Sequence, residues 1–302
     1  MKMKETICTV ILTKNEELHL TRILDQLVKI IDHILIVDSG STDRTINISK
    51  TYDCEVITKQ FKNHASQFNF GLKYLKNKFD WILRIDADEY FEDIKALSNL
   101  IHRIQNGHYN KINGISFNRR IKFLERSIKF GGIFPTHVVR LFRTKFGICE
   151  NRWMDEHIIV NGDIIHEDIM IIDENKMGLE FWLKKHINYA KREAVEMLFI
   201  QHRLTYTNKN YKTNSQASLK RNLKENYYSR LPLFWRPALY FFYRYVIRMG
   251  FLDGKIGFVY HFLHAFWYRL VVDLFIYRVI LAKKKEDTDI KIVIKDILQI
   301  DA

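Results

Sequence analysis

The sequence predicts an α/β fold with a mainly parallel sheet and crossover helices, followed by a basic, aromatic helical region. Three observations predict it. Over the first ninety residues, apolar runs of strand length alternate with segments of helical period. Polar residues collect just after those apolar runs. The formal net charge of +13 is unevenly spread: +1 over residues 1–175, +15 over 176–285 and −3 over 286–302. A neutral first part and a strongly basic second part suggest two jobs, the second directed at something anionic.

The elements follow in order. ICTVILT (7–13) is continuously apolar, as expected of a strand buried on both faces. Leu18, Ile23, Leu24, Leu27 and Ile31 recur at helical spacing, which predicts a helix from Glu16 to Ile31. Asn15 is its expected cap, and Glu16 and Glu17 suit its first turn. HILIVDS (33–39) is a second strand, and GSTD (40–43) a turn into a short helix over 43–53. CEVIT (54–58) is a third strand, His64 to Phe79 a helix, and WILRIDAD (81–88) a fourth strand. Sheets of this kind bind ligands at the carboxyl ends of their strands. Residues 112–170 read as antiparallel strands, 176–230 as polar helix, and 231–282 as aromatic and basic. The expected division is 1–175 and 176–302.

Composition excludes several classes. Hydrophobic residues make up 47% and charged residues 27%, a globular balance rather than a disordered one. Cys8, Cys54 and Cys149 are too few and too scattered for a disulfide framework or a metal knuckle, so free thiols are expected. The seven-residue apolar run near the N-terminus, followed by KNEE, does not fit a signal peptide.

Asp86 and Asp88 are two apart at a strand end. In extended backbone both would face the same side, and two carboxylates suit Mg²⁺ or Mn²⁺ that takes its other ligands from phosphates and water. Asp38 ends the second strand; its carboxylate could accept from a ribose hydroxyl or base N–H, or else form an Asx-turn.

TVILTKNEE, ILIVDSGSTDRT, QFNFGL and DWILRIDADE, in this order and spacing, resemble family 2 inverting glycosyltransferases of the GT-A fold. Within the family the resemblance is to the lipooligosaccharide β-1,4-glucosyltransferase group, and WMDEHIIVNG and DIIHE extend it to about residue 170. The resemblance implies that Thr13, Asn15, Glu16, Asp38, Asn69 and Asp86 bind a UDP-sugar. It implies that Asp86 and Asp88 form a DxD holding Mg or Mn, with His166 either a further metal ligand or a satisfied histidine. Asp155 or Glu156 would be the catalytic base; many members carry Glu-Asp here, whereas this chain reads Asp-Glu, and Glu156 is preferred as the second of the pair. The implied activity moves a hexose, glucose first, to a glycolipid or lipopolysaccharide-core oligosaccharide on the cytoplasmic face of the bacterial inner membrane.

Residues 231–282 are expected to lie on an anionic membrane surface without spanning it, the alternatives being an ordinary helical core or dimer face, or a re-entrant hairpin. Their longest stretch without a formal charge is thirteen residues (256–268), whereas a span needs roughly 20. Arg244, Arg248, Arg269, Asp273 and Arg278 recur near helical turns, as in interfacial helices, and Gly250 and Gly254 would separate two of them. Two other readings compete. Aromatics such as Trp182, Tyr189, Tyr227 and Tyr228 could stack nucleic-acid bases, but no RNP, KH or zinc pattern accompanies them, and no nucleic acid is expected. A nucleotidyltransferase would need a Gly- and Arg-rich phosphate loop after the first strand, and TKNEE is not one.

Overall fold

The computed structural model describes residues 4–152, 154, 156–202, 215–285 and 289–300. The first part runs β1 (Ile7–Thr13), α1 (Leu20–Leu27), β2 (His33–Asp38), α2 (Thr45–Thr51), β3 (Glu55–Thr58), α3 (His64–Tyr74) and β4 (Trp81–Asp86). β5 (Glu89–Phe91), α4 (Ile94–Gln105), β6 (Gly114–Phe123), β7 (Arg126–Ile128), β8 (Thr136–Arg143), β9 (Gly147–Cys149), β10 (Ile158–Val160) and β11 (Ile164–Glu174) follow. The main sheet has the order β3-β2-β1-β4-β8-β6-β11-β5, with β7 on β6 and β9–β10 as a separate pair.

The first four strands are parallel, as expected. Their continuous apolar runs are explained by burial on both faces. Ile7 and Ile11 pack with α1 and α4, while Cys8 and Val10 pack with α3 through Phe68. All three cysteines are free and buried. The register pairs Thr13 with Asp38 and Leu12 with Asp86, so the polar residues after β1, β2 and β4 meet along one edge.

Four expectations are corrected. α1 begins at Leu20, not Glu16, and Asn15 does not cap it. Asn15 takes a left-handed φ of 57°, and its Oδ1 accepts from the Thr42 N–H at 2.8 Å, which ties the loop after β1 to the loop after β2. The helix after His64 ends at Tyr74 rather than Phe79. β4 stops at Asp86, and Ala87–Asp88 form a turn. β11 pairs parallel with β6, not antiparallel, because β8 runs against β6 and the chain reverses again before β11.

The second part is helical: α5 (Gly178–Gln201), α6 (Ser215–Asn226), α7 (Trp235–Phe242), α8 (Gly254–His261), α9 (Tyr268–Lys285) and α10 (Ile290–Leu298). α5, α9 and α10 share a core of Ala190, Ala194, Leu198, Val272, Ile276 and Ile294. A π-helical turn (Tyr243–Ile247) prolongs α7, and another (Phe262–Trp267) joins α8 to α9. Gly250 and Gly254 do bound the break between the two arms.

The charged residues of 231–282 divide: Arg248 and Arg278 are exposed, while several others turn inward. Arg244, Arg269 and Asp273 do not form solvated faces. Arg236 and Asp273 are buried and ion-paired, Arg244 is buried, and Arg269 pairs with Glu193 at 2.7 Å. The apolar residues Trp235, Leu239, Phe242, Val246 and Ile247 face outward instead. Among the described residues no helix is long and apolar enough to cross a membrane.

Burial lowers the pKa of His64, His186 and His261 to about 4 and holds that of His264 well below the usual imidazole value. A neutral folded imidazole is protonated on unfolding once the pH drops below about 6.5, so its contribution to stability is lost between about pH 6.5 and pH 4. Glu16, Glu89 and Asp173, raised by burial, bind protons in the fold and work in the opposite direction. The histidine contribution is isolated by comparison: His186→Gln is expected to lose less stability over that range than the parent, by about one bound proton in slope. Denaturant midpoints measured across it would reject the assignment if the two profiles were parallel.

Candidate active site

The site is built at the carboxyl edge of β1, β2 and β4. Its innermost member is Asp38, which is fully buried. Its Oδ1 accepts from Thr13 Oγ1 (2.9 Å) and Ser41 Oγ (2.5 Å), and its Oδ2 from the N–H groups of Gly40 (2.7 Å) and Ser41 (2.8 Å). A carboxylate offers about four lone-pair positions, and all are used. Asp38 and Thr13 therefore shape the loop over 39–41 from within, as the Asx-turn reading has it. Gly40 adopts a φ of 83°, which a side chain would strain.

Asn15 and Glu16 lie at the same edge. The Glu16 N–H donates to Thr45 Oγ1 at 2.8 Å, and its carboxylate meets His19 Nδ1 at 2.7 Å. Burial, helped by Asp88, raises the Glu16 pKa against the His19 hydrogen bond. Asn69 stands elsewhere. Its amide exchanges two hydrogen bonds with the Cys149 backbone (2.8 and 3.0 Å), clamping α3 to β9. Its side-chain amide is thereby engaged with the backbone of β9.

Asp86 and Asp88 do not share an extended strand. The Asp86 N–H donates to Glu89 Oε2 at 3.0 Å, turning the chain towards β5 at the far edge of the sheet. Asp86 faces Arg140 (3.2 Å) and Arg84 (3.6 Å). Burial alone would raise its pKa, but Arg140 and Arg84 hold it well below the usual carboxylate range. Asp88 faces Asn175 Nδ2 (3.2 Å) and Lys185 Nζ (3.8 Å). Glu89, beneath them, pairs with Arg140 and is raised by burial and by the Asp86 charge.

Glu156 lies just before β10, outside the strand expected there, with Oε1 3.8 Å from Arg84 Nη2. Arg84 thus stands between Asp86 and Glu156. Asp155 lies outside the described residues. His166 is not gathered with these carboxylates. It meets Ser116 Oγ at 3.2 Å and the His137 ring at 4.3 Å, on a strand separated from β4 by β8 and β6. Among the described residues no group of three or more His, Cys, Asp or Glu could hold a metal ion. Asp86 and Asp88 remain as a two-carboxylate set. That set fits a Mg²⁺ or Mn²⁺ ion completing its shell with phosphate oxygens and water, and His166 does not belong to it.

Several functional side chains escaped the sequence reading. Arg84 was visible as a charge inside the buried run WILRID, two residues from Asp86 and hence on the same strand face. Lys185, Tyr189 and Arg192 are spaced i, i+4, i+7 along one face of α5, but nothing local told that this helix covers the site. Burial opposes the Lys185 charge; the Tyr189 hydroxyl and the Asp88, Glu16 and Asp173 carboxylates outweigh it and raise the ammonium pKa. Arg192 lies 5.0 Å over the Phe61 ring, and Tyr189 meets His64 at 6.5 Å, so α5 closes over the loop before α3. The arrangement offers carboxylates on one side and two cations on the other, a geometry suited to an anionic leaving group.

Comparison with known proteins gives the family. An uncharacterized glycosyltransferase of Rickettsia conorii is 27% identical over 269 residues, covering 87% of each chain. One of Rickettsia typhi is 32% identical over 147 residues, covering 48% of this chain and 49% of that one. Among solved structures, glucosyl-3-phosphoglycerate synthase from Mycobacterium tuberculosis, crystallised with Mn²⁺, UDP and glucosyl-3-phosphoglycerate, is 20% identical with a TM-score of 0.33; the match covers 38% of this chain and 44% of that one. The family described as Glycosyl transferase family 2 matches residues 8–158, half of the chain, from β1 into β10 with every carboxylate of the edge included. The chain belongs to glycosyl transferase family 2.

Proposed function

We propose that the protein transfers a hexose, glucose first, from a UDP-sugar to a glycolipid or lipopolysaccharide-core acceptor, with inversion, as in the lipooligosaccharide glucosyltransferase group its motifs resemble. The observation that carries this reading is Arg84 between Asp86 and Glu156, with Lys185 beside Asp88. The donor diphosphate lies at the Asp86–Asp88 turn, where Lys185 and Arg192 of α5 meet its charge. Asp86 and Asp88 would hold a divalent cation, which would supply Lewis-acid stabilisation to the departing diphosphate. Glu156 takes the proton of the attacking acceptor hydroxyl; the new C1–O bond forms as the C1–O bond to phosphate breaks, and UDP leaves. Glu16 and Asn15 border the nucleoside side of this site.

The acceptor is lipid-borne, and the enzyme works as a peripheral protein on the cytoplasmic face of the inner membrane. The outward-facing Trp235, Leu239 and Ile247 and the +15 charge of residues 176–285 support this.

The test is UDP release with a panel of UDP-sugars, with Mg²⁺, Mn²⁺ or chelator, in the presence of bacterial envelope glycolipid. UDP-glucose turnover that needs both glycolipid and divalent cation is expected. Equal release from every nucleotide sugar, or none, rejects the reading.

A further inference from the structure

Glu156 sits in the connection between β9 and β10, and the helical region holds that connection in place. The Glu150 N–H donates to the His157 carbonyl at 2.9 Å, closing the loop at its base. Two sets of ion pairs then fasten it to the second part of the chain. Arg152 donates to Glu196 Oε1 of α5 from Nε (2.8 Å) and Nη2 (2.6 Å), and its Nη2 also donates to Glu225 Oε1 of α6 at 2.9 Å. Arg221 of α6 forks onto both carboxylate oxygens of Glu150, at 3.1 and 2.6 Å. Charge-assisted bonds of this kind fix direction as well as distance.

Two features separate this clamp from an ordinary surface ion pair, which is solvated and worth little. Residues 176–285 hold only six acidic side chains, and two of them converge on the one guanidinium of Arg152. Glu196 is 3% exposed, and a carboxylate so buried is costly without a cation.

Glu196 also belongs to the face of α5 that covers the candidate site. Lys185, Tyr189, Arg192 and Glu196 follow at i, i+4, i+7 and i+11. Lys185 Nζ stands 3.8 Å from Asp88 Oδ2, and Glu196, about 17 Å further along the helix, holds Arg152. On its other side α5 is packed by Ala190, Ala194 and Leu198 into the core shared with α9 and α10. Glu193 adds ion pairs to Arg269 (2.7 Å) and Lys224 (2.8 Å). One firmly held helix therefore touches the Asp86–Asp88 turn near one end and the loop of Glu156 near the other. We infer that Arg152 is a positioning residue: gripped by Glu196 and Glu225, it sets where Glu156 stands relative to the Asp86–Asp88 turn. The helical region, and not the sheet alone, then places the base. The inference rests on Glu156 acting as the base in the proposed function.

The test is a double-mutant cycle in the full chain, with single-turnover transfer from UDP-glucose to envelope glycolipid and UDP titration as readouts. Arg152→Met and Glu196→Gln are each expected to lower kcat by about ten- to a hundred-fold, the cost of a misplaced group, with UDP affinity kept. In a Glu156→Gln background neither should cost anything further, because a residue that acts only through the base has nothing left to position. Arg152→Lys, which keeps the charge and loses the fork, should recover part of the rate. Glu225→Gln removes the more exposed partner and leaves Glu196 in place; it should give a smaller loss with the same non-additivity, and it serves if Arg152→Met fails to fold. Thermal unfolding checks each variant. Amide hydrogen exchange reads the clamp without substrate: Arg152→Met should speed exchange at the Glu150 amide while β1 and β4 stay protected. Full activity in folded Arg152→Met and Glu196→Gln, or unchanged exchange at Glu150, overturns the inference. Losses that persist undiminished in the Glu156→Gln background, or that fall on UDP affinity, overturn it too and leave the clamp a stabilising contact alone. Unimpaired turnover in Glu156→Gln by itself is a different failure: it rejects the base assignment of the proposed function, and the inference with it.

Discussion

Glu156→Gln is expected to lower kcat by about 10²–10⁴-fold while leaving UDP affinity nearly unchanged. The substitution keeps the shape of the side chain and removes only its capacity to accept a proton. Glu156 stands across Arg84 from Asp86, with 3.8 Å between its Oε1 and Arg84 Nη2, so in the proposed reading it borders the donor site without belonging to the Asp86–Asp88 turn. This separates the two kinetic effects. A general base acts on the acceptor proton in the transition state, so its loss reduces kcat and kcat/KM together. Asp155→Asn, at the neighbouring position, is expected to have a much smaller effect. Single-turnover rates and UDP titrations on both variants check this. Equal, mild losses in the two would locate the base elsewhere.

Asp88→Ala is expected to cost about 10²–10³-fold in kcat and to weaken divalent-cation dependence, since metal stabilisation of a departing phosphate is worth several kcal/mol. Asp88 has a second partner in Lys185 at 3.8 Å. Removing the carboxylate therefore also frees an ammonium that remains beside Glu16 and Asp173. Lys185→Met resolves the two contributions: it should weaken UDP binding without altering the Mn²⁺ concentration needed for half-maximal rate. Activity measured against Mn²⁺ in the three proteins checks this. Unimpaired turnover in Asp88→Ala would sink the metal assignment.

Much of the first part of the fold was legible because its signals are local. Continuous apolar runs such as ICTVILT mean burial on both faces, and alternation with helical segments means parallel strands; β1 is Ile7–Thr13 as read. The edge where sheets of this kind bind ligands follows from that topology. Helix ends were read less well. The motif TKNEE has the composition of a cap and first turn, yet Asn15 and the Glu16 N–H are used to tie two loops together before α1 begins at Leu20. Local preference lost there to contacts with residues 42 and 45, nearly thirty positions away.

The roles within the site divide in the same way. Residue type and spacing alone determined that acidic groups gather after β1, β2 and β4, that the second half carries the positive charge, and that residues 231–282 are aromatic and basic. Only the tertiary structure decided what each acid faces. Asp38 turns inward to four donors, Asn69 is spent on Cys149, Asp86 and Asp88 meet different cations, and His166 sits two strands away. It also decided that α5 brings Lys185 and Arg192 over the site, and that Arg236 and Arg244 of 231–282 point inward while Trp235 and Phe242 face out. The physical reason is common to all of these. A charged side chain can be satisfied by any partner within hydrogen-bond reach. Which partner arrives depends on long-range packing that composition and period do not encode.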